Sequence, residues 1–174
     1  MKITVDKLRE LDACDSGIEY FKSKHSDGVE LTDLIREDIG TNNWTILEYA
    51  DWLITHCMTH EQRIDYALYA ARLVFPAYQE KYPNDPRVRN YIQAIKDFRD
   101  GKIMKGELQY AANAAAEAAY TALAPYAAYA AYAAAHAAYA AHAAAGTFAD
   151  KNAMMIKILE YGVTLLEAGN ENNS

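Results

Sequence analysis

One stretch governs what this chain can become. Between Ala111 and Ala145 there are 23 alanines in 35 residues, and from Ala118 to Ala149 there is no Asp, Glu, Lys or Arg. Length and lack of charge raise a membrane span. Alanine is only weakly apolar, however. Pro125, His136 and His142 interrupt the run, and Leu, Ile, Val and Phe are too few to favour insertion. A coil fits no better, because alanine has the highest helix propensity of any residue. The reading that survives is a pair of closely packed core helices divided at Pro125, one from Leu108 to Leu123 and one from Tyr126 to Ala145.

In the second of these, Tyr126, Tyr129, Tyr132, His136 and Tyr139 recur every three or four residues, a drifting stripe of large side chains on a methyl-covered rod. Alanine faces let neighbouring helices approach closely, and the tyrosines fill the wider gaps. Gly146 suits the C-terminal cap and Thr147 the start of a last helix bearing Met154, Met155, Ile158, Leu159, Val163 and Leu166. The stripe is read first as core. Any exposed part of it is a candidate partner-binding surface, with Tyr126, Tyr129 and Tyr132 as its residues.

The rest of the chain also reads as helix, so the expected fold class is all-α: a compact multi-helix bundle with an alanine/tyrosine-rich helical hairpin. Ile3, Val5, Leu8 and Leu11 suggest a short first helix. Asp15 or Ser16 can cap a second, with Ile18 and Phe21 on its apolar face. Ser26-Asp27-Gly28 reads as a turn. Leu31, Leu34 and Ile35 mark a third helix, broken by Gly40-Thr41-Asn42-Asn43, and Trp44 to His56 a fourth. Thr59-His60-Glu61-Gln62 matches a capping box at the head of a long apolar-periodic run, in which Pro76 is expected to kink or end the helix. Asp85 and Pro86 mark a further start, before Val88, Tyr91, Ile92, Ile95 and Phe98. Scarce glycine (8) and proline (4) argue against a turn-rich β fold.

Charge divides the chain unevenly. Residues 1–62 carry 6 basic and 13 acidic side chains, residues 63–117 carry 9 and 7, and residues 118–174 carry 2 and 4. The net charge of -7 therefore comes from the first third. This predicts an acidic N-terminal helical module over 1–58, a helical bundle over 59–168 and a flexible tail over 169–174. The acidity argues against direct binding of nucleic acid or a membrane surface, and suits either plain solubility or a basic protein partner. Only Cys14 and Cys57 occur, a pattern that fits a reducing cytoplasm, and MKITVDKLRE has no apolar segment of the signal-peptide kind.

The search for chemistry is less productive. His56 and His60 are four apart, with Cys57 and Glu61 beside them, and are the weak candidates for a metal. A helix start at Thr59 would spoil their geometry, and no third ligand stands nearby, so no metal and no cofactor is expected. His136 and His142, six apart, point to different sides of a helix. There is no GxGxxG, GxxxxGK[ST] or GxSxG, and no carboxylate pair or Cys–His arrangement of catalytic form. A non-enzymatic protein is expected. A helical metal or small-ligand module using His56, Cys57 and His60 is a further alternative.

Two segments resemble known sequences. Arg63 to Pro76, the turn Tyr82-Pro83-Asn84-Asp85-Pro86-Arg87-Val88-Arg89, the step Ile92-Gln93-Ala94, the link Gly101-Lys102-Ile103 and the alanine-rich tract after it together resemble the bacterial immunity proteins of the Imm5-like type, over residues 63–146. The departures are more tyrosine and less arginine in the second tract helix, and Arg87-Val88-Arg89 where the family has RPR. The resemblance implies a cytoplasmic binding protein that neutralises a protein partner, most simply a toxin. Within the turn, one of Arg87 and Arg89 can pair back to Glu80 or Asp85 while the other faces a partner; both are read first as scaffold. Separately, Leu11-Asp12-Ala13-Cys14-Asp15-Ser16-Gly17-Ile18-Glu19-Tyr20-Phe21 is similar to an ACxxGxxxF opening of small phage and bacterial helical proteins. That likeness implies an alternative: a phage-encoded inhibitor of a bacterial defence system.

Overall fold

The first residues do not begin a helix. In the computed structural model, which describes residues 1–122 and 148–171, Lys2–Ile3 (β1) pairs antiparallel with Val29–Glu30 (β2), Lys2 opposite Glu30 and Ile3 opposite Val29. Ile3, fully buried, is held by this bridge rather than by the helical turn its spacing suggested. The α-ammonium of Met1 donates to Glu30 at 2.8 Å and closes the pair. Gly28 makes the return possible. Its φ is +81°, and a Cβ there would lie 2.7 Å from the Ile3 carbonyl oxygen.

The remainder is all-α. Val5–Glu10 (α1) is capped by the Thr4 hydroxyl, which accepts from Lys7 N–H. Asp15–Lys24 (α2) starts after Cys14 without a side-chain cap, so neither Asp15 nor Ser16 plays that part; Ser16 Oγ instead accepts from the Tyr49 hydroxyl at 3.0 Å. Leu31–Gly40 (α3) follows, then Trp44–Cys57 (α4), capped by Asn43, whose side-chain oxygen accepts from Thr45 and Ile46 N–H. His60–Lys81 (α5) starts at the expected capping box: Thr59 N–H donates to Gln62 Oε1 at 2.9 Å and Gln62 N–H to Thr59 Oγ1 at 3.2 Å. Pro76 lies inside α5 and does not end it. The helix as a whole packs against later helices, which offsets the lost backbone bond. Arg87–Arg99 (α6), Lys105–Ala122 (α7) and Phe148–Glu171 (α8) complete the described elements.

The head of α6 follows the sequence reading closely. Asp85 Oδ1 accepts from Arg87 N–H at 3.0 Å, and Pro86 already has helical angles. Val88, Tyr91, Ile92 and Ile95 are buried along one face. α8 packs against α3, α4 and α5, while α5 and α7 both pack on α6. Met155, Ile158, Leu159 and Val163 of α8 thus join Ile35, Leu47 and Ile54 in a common core. The alanine/tyrosine helix expected after Pro125, with Tyr126, Tyr129, Tyr132, His136 and His142, falls outside the described residues, as do Gly146 and Thr147. Among the described residues, no helix is long and apolar enough to cross a membrane.

Candidate functional site

The ACxxGxxxF segment has a structural counterpart. Cys14, Gly17 and Phe21 fall three to four residues apart and share one face of α2 and its entry. That face looks into a cavity of about 280 Å³ closed by Leu8 of α1, Leu34 and Asp38 of α3, and Glu48, Tyr49, Trp52 and Leu53 of α4. Asp12, at φ +59° in the bend between α1 and α2, stands at its edge; aspartate is one of the few side chains that tolerates that backbone region. Asp12 and Cys14 are exposed, so the mouth lies on their side.

Asp38 is the unusual member. It is 3% exposed and one helical turn from Leu34. The Tyr20 hydroxyl donates to its Oδ1 at 2.8 Å, and Lys24 Nζ donates to the Tyr20 oxygen at 3.0 Å. Lys24 Nζ also reaches Glu37 at 3.3 Å, and His25 Nε2 lies 3.2 Å from the other Glu37 oxygen. Burial pushes the Asp38 carboxyl up to about 6, against the Tyr20 hydrogen bond and the Lys24 charge, which both pull it down. A raised carboxyl pKa means the folded state holds a proton that the unfolded chain has lost. The stability tied to that proton is fully present below the unfolded value near 3.8 and is lost as pH rises through about 6. Asp38→Asn keeps an acceptor for Tyr20 and removes the buried charge. It should raise stability by about 1–2 kcal/mol at pH 7.5, since each tenfold change in an acid's ionisation constant corresponds to roughly 1.4 kcal/mol, and should change little at pH 3.5. Urea unfolding at the two pH values checks this; an equal effect at both would contradict the buried charge.

The residues singled out in the sequence are placed as follows. His56 is in α4, its Nδ1 2.7 Å from the Trp52 carbonyl and its ring 4.3 Å from the Trp52 ring. His60 is in α5, edge-on to Phe98 at 5.9 Å. Met58 and Thr59 separate the two helices, so the two histidines do not share one helical face. Cys57 is half-buried, and burial pushes its thiol up. Among the described residues, no group of three or more His, Cys, Asp or Glu is placed to hold a metal. Arg87 forks onto Asp85, with Nε at 3.0 Å from both carboxylate oxygens and one terminal nitrogen at 2.6 Å. Arg89 is exposed and lies over the Phe75 ring at 5.9 Å. Sequence reasoning did not single out Asp38, Tyr49 or Trp52 for a site. The only signal was the ACxxGxxxF spacing on the wall opposite them.

Fold and site define an all-α protein with an acidic, aromatic-lined cavity in its N-terminal third. A family model described as "Imm-5 like putative immunity protein" matches residues 54–150, and the chain belongs to that family. No curated protein and no solved structure matches the chain. The matched segment begins in the last turn of α4 and takes in α5, α6 and α7, so every residue lining the cavity precedes it.

Proposed function

We propose that this protein is an immunity protein of the cytoplasm that binds and neutralises a protein toxin, without a catalytic step of its own. Membership of the immunity family carries this reading. The charge pattern supports it. Asp12, Asp15 and Glu19 are exposed and carry no ion pair among the described residues, so they offer negative charge that no internal cation neutralises. A toxin that acts on nucleic acid has a basic cleft, which an acidic surface can steer toward and block. The Asp85–Arg87 fork supports a part for Arg87 in holding the turn. Arg89, with Tyr126, Tyr129 and Tyr132, is the contact set we nominate.

Co-expression with the product of a toxin gene that adjoins its own should restore growth. Arg89→Glu should weaken the rescue at unchanged protein level, and Arg87→Ala should act through lowered stability. Absence of rescue by the unaltered protein would overturn the reading.

A further inference from the structure

Arg89 does not line the cavity between α1 and α4, and the chemistry of that cavity is of two kinds in one space. Tyr20, Phe21, Tyr49 and Trp52 surround it with aromatic surface, while Asp12, Asp38 and Glu48 bring carboxyl groups to it. Asp38 is 3% exposed, and its Oδ1 takes the Tyr20 hydroxyl. Its second oxygen accepts no hydrogen bond among the described residues, and Asp38 is one of the residues lining the cavity. The nearest lysine is already engaged with Tyr20 and Glu37, and His25 Nε2 lies 3.2 Å from Glu37. None of Lys24, His25 and Glu37 lines the cavity.

A buried carboxylate with an open oxygen costs stability unless a donor arrives. An anion would meet three carboxyl groups. A neutral apolar molecule would leave Asp38 unsatisfied. An ammonium group satisfies both features of the space, because it donates N–H to a carboxylate and is attracted to aromatic faces. We propose that the cavity between α1, α2, α3 and α4 binds a small organic ammonium compound, its charged head on Asp38 Oδ2 and its apolar body among Leu8, Phe21, Leu34 and Leu53. The volume of about 280 Å³ suits a compact ligand, near the lower end of organic-ligand sites at roughly 300–1,000 Å³.

The test uses the full chain and phenethylammonium as probe. Calorimetric titration should give saturable binding. The matched alcohol, 2-phenylethanol, should bind at least about tenfold more weakly, and 3-phenylpropionate should not bind. Asp38→Asn, checked for helical content by circular dichroism, should lose at least about tenfold in ammonium affinity and keep the weak affinity for the alcohol. Cys14, exposed at the mouth, gives a local readout. Its alkylation by iodoacetamide should slow about threefold or more under saturating probe, while that of Cys57 should not. No saturable binding, equal affinity for the alcohol, an unchanged affinity in Asp38→Asn or an unchanged Cys14 rate would each overturn the proposal. Rescue from the toxin is read without the probe, so the two readings fail separately although Asp12 belongs to both surfaces.

Discussion

Truncating Tyr66 to alanine should cost about 3–5 kcal/mol, the range for removing a large buried aromatic ring. Tyr66 stands 2% exposed where α4, α5 and α8 meet. Its ring fills the space over Gly162, and its hydroxyl donates to Asp51 Oδ1 at 2.7 Å. Asp51 is itself 1% exposed, so the hydroxyl serves a carboxyl with little access to water. Burial and the Asp51 carboxyl hold the Tyr66 pKa well above its usual value, and the hydroxyl stays a donor across the accessible pH range. Tyr66→Phe separates ring from hydroxyl. It keeps the packing and removes one donor, and should cost about 1–3 kcal/mol, as for a buried acceptor left without its partner. Urea midpoints and slopes for the two variants give both values. A cost under about 1 kcal/mol for Tyr66→Ala would mean that the junction does not support the fold.

Gly162→Ala should destabilise by about 1–3 kcal/mol, although alanine in a helix interior ordinarily gains about 1 kcal/mol over glycine. The reason is space. A Cβ at Gly162 would lie 2.7 Å from Ile54 Cδ1 and 2.7 Å from Tyr66 Cε2. The Ile54 methyl ends a side chain and can turn aside, though Ile54 is fully buried. The Tyr66 ring is held at both ends, by its backbone in α5 and by its bond to Asp51, and cannot. The two sites should therefore couple. In a Tyr66→Ala background the Gly162→Ala change should become neutral or stabilising. Retained destabilisation there would place the clash elsewhere.

Local signals in the sequence proved reliable where one short segment determines the outcome. Thr59 and Gln62 carry their capping box in four consecutive residues, and Asp85 and Pro86 start α6 with groups that touch its first turn. The Ser26-Asp27-Gly28 turn is equally local. Features that depend on distant partners were not legible. Ile3 has a helical neighbour pattern, but Val29 captures it across the chain. Pro76 looks like a stop because propensity alone says so, and tertiary contacts of α5 override it. The cavity is the clearest case. Its α2 wall is a readable motif, whereas Asp38, Tyr49 and Trp52 come from other helices and reach it only after α3 and α4 have packed. Asp38 alone reads as a polar residue near a helix end, and nothing in its neighbours announces that it is buried.

The most direct measurement of the proposed toxin neutralisation is titration of the purified product of any toxin gene that adjoins this one. Toxin activity should fall linearly with added protein and vanish at one equivalent, with a stable complex of matching stoichiometry in size-exclusion chromatography with light scattering. Full toxin activity at micromolar excess, with the two proteins eluting separately, would contradict it.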